Sequence, residues 1–228
     1  MKRNTTYTRL RLAEYHYIEA EKRAKIQPVF TMSHRKKEAN EVGCLGEVIA
    51  EDWMSRFGIN YVPELEKTTH DYRIIAGDKN ITIDVKTKDR TVVPQINYDN
   101  SAPCYNHNHQ KPDYFFFISL HRDKKSKDMS LRRFHTAYIL GGISYNELDN
   151  IGIRFLRGEK DWRNGTKFWT DCLNIEMWQL VPLSEIIKIF KGELVEPTIK
   201  SGVNVQIIKE MMSRIDKGEL LPRKLPEI

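Results

Sequence analysis

The sequence predicts an α/β (α+β) domain with a mixed central sheet flanked by helices, and three observations predict it. Apolar residues recur at helical spacing through most of the first quarter of the chain. The segment Asn80-Ile-Thr-Ile-Asp-Val-Lys-Thr-Lys88 alternates apolar with polar, the period of a strand. Asp113-Tyr-Phe-Phe-Phe-Ile-Ser-Leu120 is almost continuously apolar, the signature of a strand covered on both faces. A chain of 228 residues can close one full core. No repeat or shift in composition marks an inner boundary. Residues 1–228 are therefore read as one domain, with an N-terminal helical extension over about 1–30 and a C-terminal helical tail over about 201–228.

In order along the chain, residues from about Thr5 to Lys25 read as a helix through Leu10, Leu12, Tyr15, Tyr17, Ile18 and Ala24, ended by Pro28. A second helix opens in Thr31-Met-Ser-His and runs to about Phe57, closed by Gly58. Tyr72 to Ala76 then forms a hairpin with the alternating strand, turning at Gly77-Asp78. Thr91 to Pro112 reads as a long loop. Asp113 to Leu120 is expected to be a central strand, and Phe134 to Leu140 another, ended by Gly141-Gly142. Ser144 caps a short helix over Tyr145 to Asn150. Ile175 to Leu180 is expected to be a final strand, Pro182 to Phe190 and Val203 to Asp216 closing helices, and the end after Gly218 irregular.

The formal charge of +6 suits a polyanionic partner. The cysteines Cys44, Cys104 and Cys172 are odd in number and far apart, which fits a reducing compartment rather than a disulfide framework. With no apolar leader at the start and no stretch fit to span a bilayer, the expected location is cytoplasmic or otherwise intracellular, not secreted, with no membrane partner.

Asp84 and Lys86 leave the same face of one strand. Carboxylates beside an ammonium are what metal-assisted phosphodiester hydrolysis requires. Mg²⁺ takes hard oxygen ligands and keeps several waters, and an amine can orient the attacking water or pair with the phosphate. Asp71, one hairpin turn away, supplies a second acid at the same end of the sheet. In Gly43-Cys-Leu-Gly-Glu-Val-Ile-Ala50, the residues Gly43, Gly46, Glu47 and Ala50 share a helical face. Small residues there let the helix backbone approach closely and deliver Glu47, while Val42, Leu45, Ile49 and Trp53 pack beside them.

Gly46-Glu47 on a helix, His70-Asp71 entering a strand and Asp84-Val85-Lys86 on the next strand together resemble the PD-(D/E)XK nuclease superfamily. The resemblance spans Gly43 to Lys88; His70 stands where the nominal motif has proline. It implies a restriction-endonuclease-like fold, a four-stranded mixed sheet flanked by helices, and Mg²⁺-dependent cleavage of nucleic acid, with Mn²⁺ as a substitute. It further implies Asp71 and Asp84 as metal ligands and Lys86 as the catalytic lysine. Glu47 would bind the metal directly or through water, and the Val85 carbonyl would be a further ligand. The expected activity is that of a DNA endonuclease, possible as a homodimer. The alternative is a non-catalytic DNA-binding or DNA-structure-recognition protein on the same fold.

Lys88 and Arg90 continue the strand and are candidate phosphate contacts, as are Arg9, Arg11, Arg35, Lys36 and Lys37, although Glu14, Glu19 and Glu21 interrupt the basic N-terminal surface. Gln95, Asn106, His107, His109 and Gln110 lie in the long loop, which could cover a substrate. Cys104, His107 and His109 do not follow a standard zinc spacing. Trp162, Phe168 and Trp169 could stack on bases, although core packing is the commoner role of such residues.

Overall fold

The computed structural model describes residues 6–26, 37–104 and 110–228, with side chains from residue 40 onward in the second stretch. Strands β1 (Thr8–Arg11), β2 (Tyr61–Pro63), β3 (Tyr72–Ala76), β4 (Lys79–Arg90), β6 (Tyr114–Arg122) and β7 (Phe134–Ser144) form a six-stranded sheet in the order β1-β7-β6-β4-β3-β2. A smaller sheet has the order β5 (Asp99–Pro103), β9 (Cys172–Glu176), β8 (Ile153–Phe155). The helices are α1 (Glu14–Ile26), α2 (Lys37–Arg56), α3 (Tyr145–Ile151), α4 (Leu183–Phe190) and α5 (Val205–Asp216). None is long and apolar enough to cross a membrane among the described residues.

The large sheet is mixed. β4 and β6 run parallel, with Val85 opposite Phe116, whereas the other pairs are antiparallel. Parallel neighbours need a crossover, and the chain between them carries β5 into the second sheet. The apolar run of β6 is buried because helices cover one face and the second layer the other. Phe116, Ile118 and Leu120 pack with Ile83 and Val85 under α1, α2 and α4. Phe115 and Phe117 pack with Tyr138, Leu140 and Ile143 under α3 and the small sheet. The β3–β4 hairpin turns at Gly77 and Asp78 as expected, and the φ of 64° at Gly77 explains the glycine there. Ser144 caps α3, its hydroxyl accepting from the Glu147 N–H at 3.2 Å.

Several expectations need correction. The large sheet has six strands rather than four. The N-terminal extension is not helical throughout, because Thr8–Arg11 adds an edge strand to β7 before α1 begins. Leu10 and Leu12 alternate with exposed Arg9 and Arg11, a period of two that is also legible as part of a helix, and pairing with β7 decides the matter. The loop over 91–112 contains β5, whose sequence Asp-Asn-Ser-Ala-Pro has little strand preference of its own and is held by pairing to β9. The last strand lies at Cys172–Glu176, not Ile175–Leu180. Gln179 turns back to accept from the Glu176 N–H at 2.8 Å and converts the rest to a 3-10 turn. β7 continues through Gly141 and Gly142 to Ser144 with a register shift. In the C-terminal tail only Val205–Asp216 is helical, and it packs Ile207, Ile208 and Met211 against Phe155 and Phe168. The expected start of the second helix at Thr31 lies outside the described residues.

Candidate active site

β3 ends before β4 does. Among the described residues the backbone of β4 has no strand on that side beyond Tyr72, and Asp71 takes its place: its N–H donates to the Ile83 carbonyl at 2.9 Å, and its Oδ2 accepts from the Val85 N–H at 2.7 Å. Within a strand the N–H and C=O of one residue point to the same edge, so the Val85 carbonyl faces the side on which Asp71 stands. The side chains of β4 alternate as the sequence implies. Ile83 and Val85 face α2, while Asp84, Lys86 and Lys88 face the other way. That second face is not a solvent face, since Asp84 is only 2% exposed. Its Oδ2 pairs with the Lys86 ammonium, and its Oδ1 accepts from Gln110 Nε2 at 2.8 Å. The Lys86 ammonium also stands 5.7 Å from the centre of the Phe115 ring.

Glu47 arrives from α2, on the opposite side of β4. The approach depends on Gly46, where an added Cβ would lie 1.8 Å from Oγ1 and 2.8 Å from Cβ of Thr87 on β4. The helix is also fixed from the Asp71 side. The Tyr72 hydroxyl, next in sequence to Asp71, donates to the Glu47 carbonyl at 3.2 Å and to Glu51 Oε1 at 2.9 Å. Arg23 of α1 holds Glu51 through both carboxylate oxygens at 2.7 and 2.8 Å. On the other flank His70 Nε2 meets Glu64 Oε2 at 2.6 Å and closes the loop that leads into Asp71.

The three acids therefore feel one another. Burial pushes the Asp71 carboxyl well above its ordinary range; repulsion from Asp84 and Glu47 adds to this, against the opposing pull of Lys86 and the Val85 N–H. Among the described residues no three His, Cys, Asp or Glu side chains stand close enough together to enclose a metal ion as placed. Magnesium does not require such an enclosure, because it is commonly held by one or two carboxylates together with waters and substrate phosphate. Asp71, Asp84 and Glu47 supply hard oxygen donors, and a cation would relieve the repulsion that raises Asp71. The donor set therefore fits a divalent metal of this kind.

The other predicted contacts fall elsewhere. Lys88 and Arg90 are engaged internally: Lys88 Nζ donates to Asp99 Oδ2 at 2.6 Å, and the Arg90 guanidinium reaches Asp99 Oδ1 at 3.4 Å while lying 4.0 Å over the Tyr98 ring. Arg9 and Arg11 are exposed on β1, three strands from β4 and roughly 14 Å away at ~4.8 Å per strand. Lys37 opens α2, about 15 Å from Glu47 at 1.5 Å per residue. Arg35, Lys36, Asn106, His107 and His109 lie outside the described residues. Sequence reading placed Gln110 in a loop over the site without its bond to Asp84, assigned Arg23 to the basic N-terminal surface rather than to Glu51, and missed Asp99 and Glu51. The signal available for Asp99 was an acid in an otherwise polar loop following two strand cations, which is too common to single out. No protein-family model matches the chain, and no curated protein matches it in sequence.

Proposed function

We propose that this chain is a divalent-metal-dependent nuclease of the PD-(D/E)XK type that hydrolyses DNA phosphodiester bonds, as an endonuclease. The observation that carries the reading is that Asp71 holds the Val85 N–H where β3 ends, beside the Asp84–Lys86 pair of β4, with Glu47 near enough to add to the repulsion that raises Asp71. Asp71, Asp84 and the Val85 carbonyl would hold Mg²⁺ or Mn²⁺, with Glu47 binding directly or through water. When bound, the metal would acidify a water and offset charge developing on the phosphate. Lys86 supplies a cation at the same carboxylate. With a phosphate present its ammonium can turn to orient the attacking water or pair with a non-bridging oxygen. Gln110 holds the Asp84 carboxylate in place, and Phe115 forms an apolar wall beside Lys86.

The test is incubation of supercoiled and linear DNA with the protein in Mg²⁺ or Mn²⁺, in EDTA, and with Lys86→Ala. Cleavage is expected with metal and not in EDTA, and Lys86→Ala should be slower by about a hundredfold or more, the scale set by removing one transition-state charge contact. Undiminished cleavage by Lys86→Ala rejects the assigned chemistry. Retention of DNA in a gel shift with no cleavage in any divalent metal would instead identify a binding protein on the same framework.

A further inference from the structure

Resting on the nuclease reading, we propose that the hairpin of residues 156–170 grips the DNA strand flanking the scissile phosphate, with Lys160 and Lys167 on its phosphates and Trp169 stacked on a base or sugar. This hairpin projects from the small sheet between β8 and β9. It closes through a bridge that sets Lys160 opposite Lys167. The Phe168 N–H donates to the Glu159 carbonyl at 2.8 Å, and the Asp161 N–H donates to the Thr166 carbonyl at 2.8 Å.

Its tip is rigid. Asp161 is fully buried and accepts from the Arg163 N–H at 3.0 Å and from its guanidinium, which continues to Glu176 Oε1 at 2.9 Å. The tip also sits beside the candidate active site. Asn164 Nδ2 donates to Asp99 Oδ1 at 3.4 Å, and the same carboxylate holds Lys88. Lys88 lies two residues past Lys86 on the same face of β4, roughly 7 Å along the strand.

Charge and exposure separate this hairpin from an ordinary solvated turn. Its acids are already matched, Glu159 by Arg223 and Asp161 by Arg163. Lys160 and Lys167 are exposed, with no carboxylate partner among the described residues. Phe168 stacks on Phe155 with ring centres 4.5 Å apart, and half-buried Trp162 packs on the same ring at 5.9 Å. Their neighbour Trp169 is 54% exposed and has Lys167 Nζ 5.0 Å from its ring centre. An exposed indole with a lysine over its ring, and a second lysine opposite that one in the hairpin, combines stacking with phosphate attraction, the two contributions by which proteins hold a nucleic-acid strand without reading its sequence.

The test is fluorescence anisotropy of a labelled duplex in EDTA, together with steady-state cleavage in Mg²⁺, for wild type, the triple variant Lys160→Ala/Lys167→Ala/Trp169→Ala, and Lys160→Arg/Lys167→Arg. The triple variant is expected to bind about tenfold or more weakly, and its salt dependence should flatten by about two phosphate contacts. KM should rise while kcat at saturating DNA stays unchanged. The double arginine variant should bind like wild type, which a merely structural role for the lysines does not predict. Equal affinity and equal salt dependence in the triple variant overturn the hairpin contact and leave the nuclease reading standing. A wild-type protein that neither binds nor cuts DNA overturns both.

Discussion

A single missing methyl group governs where Glu47 can stand. Helix α2 lies against β4 because Gly46 has no Cβ, and any side chain there would collide with Thr87. Overpacking of this kind costs about 1–3 kcal/mol and is relieved by moving backbone. Gly46→Ala is therefore expected to lower stability by about that amount in urea denaturation. The proposed DNA cleavage should fall further than stability does, since the displaced helix takes Glu47 away from Asp71. A variant with wild-type stability and full activity would show that the helix does not need this contact. The glycine and the acid were legible in sequence as a small-residue helical face ending in a carboxylate. Their partner Thr87 was not, because nothing local says which strand residue a helix will meet.

At the scale of elements, the end of β4 is joined to the small sheet by ions rather than by apolar packing. Asp99 of β5 receives Lys88 and Arg90 and is also approached by Asn164. Burial pushes the Asp99 carboxyl up, but the combined attraction of Lys88, Arg90 and Arg163 outweighs it and holds the group at about 2. The pairing is not symmetrical. Lys88 is lowered by burial and by neighbouring Arg90 despite the pull of Asp99, because one carboxylate serves several cations. Asp99→Asn leaves those cations facing one another. The expected loss is about 2 kcal/mol, below the ~3–5 kcal/mol of a wholly buried broken pair because Lys88 retains some solvent contact. Since the folded carboxyl is depressed, its contribution to stability is complete above the ordinary carboxylate range near pH 4. It is lost as the pH falls through about 2. Urea midpoints of wild type and Asp99→Asn should therefore differ at pH 7 and converge toward pH 2; a constant difference across that range would show that the carboxylate charge is not what matters.

For the whole molecule, a cation bound to the acids of the native state and not to the unfolded chain must stabilise the fold. If Mg²⁺ binds as proposed, at ten times its Kd it adds about 1.4 kcal/mol, or roughly 3–6 °C in Tm for a domain of this size. Calorimetry or thermal unfolding should show that rise in wild type and its absence in Asp71→Asn and Asp84→Asn. Without metal, Asp71→Asn should begin from an equal or higher Tm, because removing its charge relieves the repulsion that raises Asp71, whereas Asp84→Asn should begin lower, because it breaks the buried ion pair with Lys86. An identical Mg²⁺ shift in all three proteins would place the metal elsewhere.

By itself the sequence determined the elements whose pattern is strong and local. The alternation of β4 put Asp84 and Lys86 on one face, the unbroken apolar run of β6 marked the strand beside it, and Gly77-Asp78 set the hairpin. Only the tertiary structure decided that Thr8–Arg11 leaves the helical pattern to join β7, and that a polar segment becomes β5. It also decided that Lys88 and Arg90 turn inward to Asp99 instead of outward. The physical reason is common to all of these. Periodicity reports which side of an element is buried, whereas an edge strand, a polar strand and a buried ion cluster exist only because a distant segment supplies the hydrogen bonds and the charge that each lacks alone.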